Sequence, residues 1–321
     1  MSSSWFGRAR LNKNLALNSV FSTLVAALLS VCLASTAFAE KSEQLEEAQQ
    51  REVPALWQIS LGQKRGFLFG SIHFGSDALY PLPTEVMSAF RSVKTLAVEV
   101  DIEAVDNAEL GQFMSRHGVY PVDKSLAAEI GAGNWEKLVA AVQGLGLDSV
   151  QLVQQRPWLA ALTISIAAIQ KAGVVTDSGI DLHFLRNGRD SHEIVSLETV
   201  IDQMGFFATL SQTQQLGFLM ETLDELDTAG EFVNEIVAAW RRGDSAALDE
   251  QVNGQLRNSR VDGVYDALIV KRNQHMADRI QSLMQEGDGV FVVVGAGHLV
   301  GEDSVVYMLQ QRGLDVWRVS Y

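Results

Sequence analysis

The chain has 321 residues, 47% hydrophobic and 20% charged, a globular composition that excludes disorder as its main state. Its 5 prolines and 26 glycines exclude collagen-like and proline-rich repeats, and its length allows one large domain or two small ones. With 25 Lys and Arg against 39 Asp and Glu, the formal net charge is −14, which argues against binding a nucleic-acid backbone.

The N-terminal segment has the layout of a secretory signal peptide. Its basic residues are Arg8, Arg10 and Lys13. No further charged residue occurs before Glu40, Val20–Ala34 is mostly apolar, and Ala37-Phe38-Ala39 is a small-x-small cleavage site. The alternative is an uncleaved membrane anchor, but the apolar run is short for a span of about 20 residues. We therefore expect cleavage after residue 39 and a periplasmic or secreted protein without a stable membrane span.

Cysteine content and charge exclude some functions for the mature chain, residues 40–321. The single cysteine, Cys32, lies within the predicted signal peptide. We therefore expect no disulfide, thiolate metal site or cysteine nucleophile in the mature protein. Cleavage removes three basic residues and no acidic one, so the mature surface becomes more acidic and repels nucleic acid and anionic membranes.

The mature chain begins with a polar segment, residues 40–52, which is typical of a linker or a frayed helix. Two short apolar runs, Ala55–Ser60 and Gly66–Ile72, then predict a β-hairpin. Helical spacing over Thr84–Ser92 predicts a helix, and the apolar run Thr95–Val100 predicts a buried strand after it.

Residues 105–285, approximately, are predicted to form a large helical insert. Helical spacing recurs in Asn134–Leu145, Pro157–Ala172, Asp202–Leu226, Glu231–Arg242 and Tyr265–Met284. After the insert, the unbroken apolar run within Gly289–Gly295 predicts a strand covered on both faces. A helix over Ser304–Arg312 and a last strand over Leu314–Val319 complete the prediction.

A repeat links the two ends of the chain. Gly70-Ser71-Ile72-His73 and Gly295-Ala296-Gly297-His298 each follow a predicted strand and precede a helix and a second strand. One Gly-x-x-His usually marks a local hydrogen-bonding histidine, but two matched copies favour a site. The two units flanking the insert predict an α/β (α+β) fold with a central mixed sheet. Both histidines would lie at strand ends, where open α/β sheets bind ligands.

Glu99 interrupts an otherwise apolar strand. A buried carboxylate is costly unless it is paired or binds a metal, so Glu99 is a candidate site residue near His73. The alternative is an alternating strand in which Glu99 and Asp101 both face solvent. Two histidines and a carboxylate suit either a divalent metal or metal-free general acid–base hydrolysis.

Other polar residues give weaker signals. Arg272 and Asn273 lie on a predicted basic helix, where an arginine could clamp an oxyanion or a carboxylate, or could simply face solvent or an ion-pair partner. Asp181 lies in a predicted helix start, and Glu198 follows an apolar run; either could be structural. Three histidines without comparable context are expected to be surface or local residues: His117, His192 and His275.

Short motifs extend over nearly the whole mature chain. They are Gly70-Ser71-Ile72-His73, Leu96-Ala97-Val98-Glu99-Val100-Asp101, Arg156-Pro157-Trp158, Gly179-Ile180-Asp181, Leu197-Glu198-Thr199 with Gln203, Ala239-Trp240 with Gly243-Asp244, Arg272-Asn273 and Gly295–Gly301. In order and spacing they resemble the TraB/GumN family, which is related to the Tiki extracellular proteases and, more distantly, to erythromycin esterases and a haem-binding lipoprotein family. The resemblance implies one domain over residues 40–321 and a metal-assisted, peptidase-like active centre formed by both histidines and a glutamate.

Three functions are compatible with these residues. The first is an exported metal-dependent hydrolase of a peptide or small molecule, in which His73, Glu99 and His298 hold a Mn, Co or Zn ion. Arg272 would stabilise the oxyanion of the tetrahedral intermediate. Substrate-binding candidates are Asp181, Glu198 and Asn273. The second is a metal-free, esterase-like hydrolase with His73 as base and Glu99 as its partner. The third is a non-catalytic protein that binds haem or a peptide in the same crevice.

Overall fold

The structure is a computed structural model that describes residues 53–73, 79–173, 179–287 and 289–321. The predicted signal peptide and the polar segment 40–52 lie outside the described residues. Within those described ranges, no helix has both the length and the apolar character needed to cross a membrane.

A six-stranded mixed sheet forms the centre of the fold, as the repeat predicts. Its strands are β1 (Leu56–Leu61), β2 (Lys64–Ser71), β3 (Thr95–Val98), β4 (Glu193–Ser196), β5 (Val290–Gly295) and β6 (Asp315–Arg318). The spatial order is β4-β3-β5-β2-β1-β6. Neighbours from β4 to β2 are parallel, whereas β1 is antiparallel to both β2 and β6.

The sequence explains which strands are central and which turn joins them. All six residues of β5 are buried, which fits its unbroken apolar run and its position between two parallel neighbours. The β1–β2 hairpin closes where Leu61 pairs with Lys64. Gly62 has a φ of 64°, the left-handed conformation that such a tight turn requires and that glycine adopts without strain.

Helices cover the sheet and fill the segment between β3 and β5. They include α1 (Thr84–Arg91), α2 (Asn107–His117), α3 (Leu126–Ile130), α4 (Ala132–Gly144), α5 (Pro157–Lys171), α6 (Ile180–Gly188), α7 (Val200–Thr209), α8 (Gln212–Glu225), α9 (Ala229–Arg241), α10 (Ser245–Leu248), α11 (Gln255–Arg257), α12 (Lys271–Glu286) and α13 (Val305–Gln311). Two π-helical turns, Asp249–Gly254 and Asp266–Val270, interrupt this series. The apolar helix α5 is buried in the core, as its composition predicts.

Three predicted elements differ from the structure. The single helix predicted over Asp202–Leu226 is two helices, because Ser211 forms its own N-terminal capping box with Gln214 and restarts the chain as α8. The insert is not wholly helical, since it contributes β4 to the sheet. The strand predicted to end at Val100 ends at Val98, so Glu99 lies just beyond the strand.

The fold places four parallel strand ends along one edge of the sheet. Ser71 at the end of β2 pairs with Gly295 at the end of β5, and Val98 of β3 pairs with Val293 and Ser196. The segments that leave these ends carry both Gly-x-x-His histidines, Glu99 and Glu198. The predicted crevice therefore lies at the carboxyl edge of the sheet.

Candidate active site

Glu99 is the centre of a buried polar cluster and is 4% exposed, so the solvent-facing alternative is wrong. The backbone N–H of Gly295 donates to Oε1. Arg272 Nη2 donates to Oε2 at 2.9 Å, and Gln203 Nε2 donates to the same oxygen at 3.3 Å. The carboxylate therefore has the hydrogen-bonded, charge-paired environment that burial requires.

The electrostatic environment keeps Glu99 ionised. Burial acts to raise the pKa of Glu99, but His298, Arg272, His73 and the Gly295 N–H together outweigh burial and lower it to about 2. At neutral pH the site therefore contains a carboxylate with Oε1 directed towards both histidines.

His298 is held by an amide. Its Nδ1 lies 2.6 Å from Oδ1 of Asn273, and Asn273 Nδ2 donates to the backbone oxygen of Asp303 at 2.6 Å. Because the amide nitrogen is used by that carbonyl, Oδ1 is the acceptor and the imidazole proton is assigned to Nδ1. The lone pair is then on Nε2, which lies 3.7 Å from Glu99 Oε1. Burial and Arg272 lower the pKa of His298 to about 3, although Glu99 acts in the opposite direction.

His73 is held by a carboxylate. Its Nδ1 lies 2.8 Å from Asp181 Oδ2, a close contact that is not well aligned as a hydrogen bond. Asp181 Oδ1 accepts a 2.6 Å hydrogen bond from Ser71 Oγ, which fixes the carboxylate. His73 Nε2 lies 3.9 Å from Glu99 Oε1, and this buried nitrogen has no hydrogen-bond partner within the described part of the chain.

Gly295 leaves room where these atoms converge. A Cβ at this position would lie 3.0 Å from His73 Nε2, 3.1 Å from Glu99 Oε1 and 3.6 Å from His298 Cδ2. The backbone of Gly295 has a φ of −50°, which any residue can adopt. The position therefore needs glycine for space between the three side chains rather than for backbone conformation.

The donor atoms fit a divalent metal in kind and orientation. Each histidine turns Nε2 towards Glu99 Oε1 while Nδ1 meets an outer acceptor, the arrangement common among metal-bound histidines. The buried Nε2 of His73 is the donor atom nearest to a Cβ at Gly295 and has no hydrogen-bond partner among the described residues. Within the described residues, no group of three His, Cys, Asp or Glu side chains has the spacing needed to hold a metal ion.

Arg272 contacts two carboxylates rather than the open crevice. Its Nε donates to both oxygens of Glu198 at 3.1 and 3.0 Å, and its Nη2 bridges Glu198 and Glu99 at 2.7 and 2.9 Å. Burial alone would lower the pKa of Arg272, but the two carboxylates raise it further above its ordinary value. These contacts favour a positioning role for Arg272 over the predicted oxyanion role, because the guanidinium is already occupied.

The predicted substrate-binding residues have structural contacts. Asp181 supports His73, Asn273 supports His298, and Glu198 pairs with Arg272. Of these three, Asp181 also borders a cleft beside His73. The contacts therefore favour an orienting role for all three residues, and direct substrate binding by them stays a prediction.

Sequence analysis did not assign site roles to Gln203, Trp240 and Asn253. Gln203 bridges Glu99 and Glu198 through Nε2. Trp240 Nε1 donates to the backbone oxygen of Gly70 at 2.7 Å, and Asn253 Nδ2 donates to that of Gly297 at 3.0 Å. The first two occur in the family-like motifs, whereas Asn253 had no sequence signal.

The three histidines predicted to be surface or local residues have local contacts. His192 Nε2 lies 3.0 Å from the backbone oxygen of Phe90, and His275 Nε2 lies 3.1 Å from that of Leu197. His117 packs against Phe113 with a ring-centroid distance of 4.9 Å.

Fold and site together define an α/β protein with a paired-histidine centre at the carboxyl edge of a mixed sheet. The chain belongs to the TraB/PrgY/gumN family, whose sequence pattern matches residues 55–318. The resemblance stated from the motifs is therefore confirmed.

Individual relatives add limited functional information. The chain is 26% identical over 250 residues to the uncharacterized protein YbaP of Shigella flexneri, covering 78% of this chain and 89% of that protein. It is 22% identical over 270 residues to an uncharacterized protein of Treponema pallidum, covering 80% of each. A stretch of 55 residues, 16% of this chain and 11% of the relative, is 40% identical to a metalloprotease TIKI homolog of Amphimedon queenslandica. No solved structure matches the chain.

Proposed function

We propose that the chain is a peptidase-like hydrolase that activates water for attack on a carbonyl carbon. The observation that carries the proposal is the approach of His73 Nε2 and His298 Nε2 to the same oxygen of an ionised Glu99, at 3.9 and 3.7 Å. Family membership and the partial similarity to a metalloprotease TIKI homolog support the same class of reaction.

We propose that a divalent Mn, Co or Zn ion is held by His73, Glu99 and His298. Such an ion supplies Lewis-acid charge and lowers the pKa of bound water. The protein's own contribution is to hold three donor atoms in fixed directions. Asp181 and Asn273 fix the two imidazole rings, and the Gly295 N–H fixes Oε1 of the carboxylate.

The Arg272–Glu198 ion pair contacts Glu99 through Arg272. Arg272 neutralises part of the charge of Glu99, and Glu198 prevents the guanidinium from turning towards the crevice. Two carboxylates and one guanidinium leave a net negative charge beside the histidines, which suits a cation more than an anion.

A metal-free hydrolase is the second candidate, and the His73–Asp181 contact specifically favours it. A carboxylate at Nδ1 orients the ring and stabilises the imidazolium that forms when Nε2 takes a proton from water. In this version the partner of His73 is Asp181, whereas the sequence suggested Glu99. No outside group is needed for the proton transfer.

Metal binding is the first test of the proposal. Calorimetric titration of the purified protein with Mn, Co and Zn should show about one ion bound per chain. The His73→Ala/His298→Ala variant should lose this binding. The matched control, His117→Ala/His275→Ala, removes two histidines outside the cluster and should retain it.

Hydrolysis is the second test and separates the candidates. A panel of fluorogenic peptides and 4-nitrophenyl esters is assayed with and without EDTA. Activity that EDTA abolishes and added metal restores supports the metal-dependent enzyme. Activity that survives EDTA but is lost in His73→Ala supports the metal-free enzyme. A folded protein that hydrolyses neither class would contradict the proposed function and favour a binding role.

We also propose export with cleavage after Ala39, as the N-terminal sequence predicts. N-terminal sequencing of the protein recovered from the periplasmic or extracellular fraction should begin at Glu40. A protein recovered with residues 1–39 still attached would contradict cleavage.

A further inference from the structure

We propose that the pocket beside the two histidines is a specificity pocket for an uncharged aliphatic side chain or short acyl group next to the scissile bond. The inference deepens the proposed function and rests on it. The pocket is small and partly open to solvent, and its wall contains both His73 and His298. A group seated there lies directly against the proposed reaction centre.

One wall of the pocket is aliphatic. Its side chains are Ile236, Leu248, Val252 and Ile269. They come from helices α9 and α10 and from both π-helical turns, and each is at most 6% exposed. Turns of π-helix occur often at functional sites, because the extra residue redirects side chains. Here the two turns place Val252 and Ile269 opposite the histidine segments.

The aliphatic wall of the pocket provides nothing to pair with a charged ligand. None of the described residues in its wall is Asp, Glu, Lys or Arg. A charged substrate group would therefore lose its hydration without gaining a counter-ion, whereas an aliphatic group would be favoured by burial. This apolar wall contrasts with the acidic composition of the whole chain.

The pocket's size indicates one group rather than a large cofactor. Ligand pockets for drug-sized molecules span roughly 300–1,000 Å³, and the enclosed part of this pocket is well below that range, with room for one small group. A second cleft shares His73 with this pocket and is also lined by Glu99 and Asp181. The two clefts allow a substrate to extend across His73 with its apolar group on the His298 side.

A matched substrate series tests the inference. The probes are N-acetyl amino-acid 4-nitrophenyl esters that differ only in the side chain: Ala, Val, Leu, Asp and Lys. We expect the kcat/KM of the Leu ester to exceed that of the Ala ester by about 10-fold or more, and the Asp and Lys esters to be slowest. Equal values for Leu and Asp would overturn the proposal.

Substitution of Val252 then changes the size of the pocket. Val252→Ile should lower the Leu-to-Ala ratio by about 10-fold, and Val252→Ala should shift the preference towards larger side chains. The ratio does not depend on the fraction of folded enzyme, so partial misfolding cannot imitate this result. The controls are Val150→Ile and Val150→Ala, because Val150 is 71% exposed. An unchanged ratio in the Val252 variants, or the same change in the Val150 variants, would overturn the proposal.

Binding separates this inference from the proposed function. If neither the esters nor the fluorogenic peptides are hydrolysed, the hydrolase proposal fails, and the pocket is tested by titrating N-acetyl-leucinamide and N-acetyl-aspartamide in a calorimeter. Tighter binding of the leucine probe, weakened by Val252→Ile, would retain an aliphatic pocket without catalysis. Equal or undetectable binding of both probes would overturn the pocket as well.

Discussion

The two histidine segments, residues 70–73 and 295–298, share a plan but differ in the group that holds each ring. Both histidines lie beyond neighbouring parallel strands and direct Nε2 to Glu99 Oε1. His73 has the carboxylate of Asp181 at Nδ1, whereas His298 has the amide of Asn273. The two histidines therefore have similar positions but different groups at Nδ1.

The difference assigns a separate task to each ring. A carboxylate stabilises an imidazolium, so the His73–Asp181 pair can accept and release a proton. An amide oxygen carries no charge, and His298 is only 2% exposed, so this ring remains neutral. In the metal-free candidate, we infer that His298 would be a fixed lone-pair donor and His73 the ring that exchanges protons, whereas in the metal-dependent candidate both rings would supply lone pairs.

The segments are also offset along the sheet. Ser71 pairs with Gly295, so the second residue of one motif lies beside the first residue of the other. His298 then sits in a short 3-10 helix, Ala296–Leu299, which is anchored by Asn253. The corresponding strand end before His73 is anchored by Trp240 at Gly70. The repeat is thus approximate, and a different residue forms a hydrogen bond with each copy.

The largest expected effect comes from removing the carboxylate that both rings face. We expect Glu99→Gln to lower kcat/KM by about 10³-fold or more, because it removes the charge that the centre needs while retaining shape. Glu198→Gln is the matched control, since it removes a carboxylate from the same arginine but not from the histidines. It should lose only about 10-fold to 100-fold.

Steady-state kinetics and circular dichroism of both variants test this expectation. Equal losses in the two folded variants would mean that the histidines do not work through Glu99. The two carboxylates would then act only through their common contact with Arg272.

The next effect comes from filling the gap between the two histidines. Gly295→Ala should reduce activity and metal affinity by about 100-fold, since its methyl group would lie 3.0 Å from His73 Nε2 and displace the donor atoms. Gly133→Ala is the control, because a Cβ there meets nothing within 4 Å. Kinetics, metal titration and thermal melting of both variants are the measurements. Full activity in folded Gly295→Ala would show that the gap holds no reacting group.

Exchanging the outer partners tests the division of tasks directly. Asp181→Asn should lower activity by about 10-fold to 100-fold, because it removes the charge that supports protonation of His73. Asn273→Asp should instead raise the pKa of His298, because a carboxylate at Nδ1 favours the imidazolium. The acid limb of its pH–rate profile should therefore move to higher pH. Identical pH–rate profiles for wild type and Asn273→Asp would contradict the idea that activity requires a neutral His298.

Much of the fold and the centre of the site could be predicted from local pattern. The repeated Gly-x-x-His units occur at strand ends in the structure, and the mixed α/β sheet is confirmed. Glu99 stood out because it follows apolar residues directly. These features are formed by residues that are adjacent in the chain, so they can be recognised in a single sequence.

The outer contacts could not be predicted, because they join distant segments. Arg272 contacts Glu99 across 173 positions and Glu198 across 74, and neither spacing carries a signal. The sequence left open whether Arg272 meets an oxyanion, a carboxylate or solvent, and could not name Glu99 and Glu198 as its partners. The edge strand β4 was missed because it has only four residues, two of them exposed. Such elements are defined by tertiary packing rather than by their own periodicity.

The smallest expected effect concerns stability and tests the buried, neutral state of His298. In the folded protein its pKa is about 3, against an ordinary value of 6.5. As pH falls below 6.5, His298 binds a proton in the unfolded chain but not in the folded protein, so the free energy of unfolding decreases. The contribution is at most about 1.4 kcal/mol per pH unit for one group. Glu99, with a pKa lowered from 4.5 to about 2, adds a second loss below pH 4.5.

Thermal unfolding in EDTA between pH 7 and 5 tests the histidine, because Glu99 stays largely ionised there in both states. Burial also lowers the pKa of His183, so the comparison is between wild type and variant, which share that residue. Wild type should lose stability as pH falls, and His298→Asn should show a flatter dependence, since it removes the group that takes up the proton on unfolding. The control, His117→Asn, should keep the wild-type slope. A His298→Asn slope equal to that of wild type would mean that the folded protein protonates His298 readily. The amide partner of His298 would then have no effect on its protonation, and the distinction between the amide and carboxylate partners would have no chemical consequence.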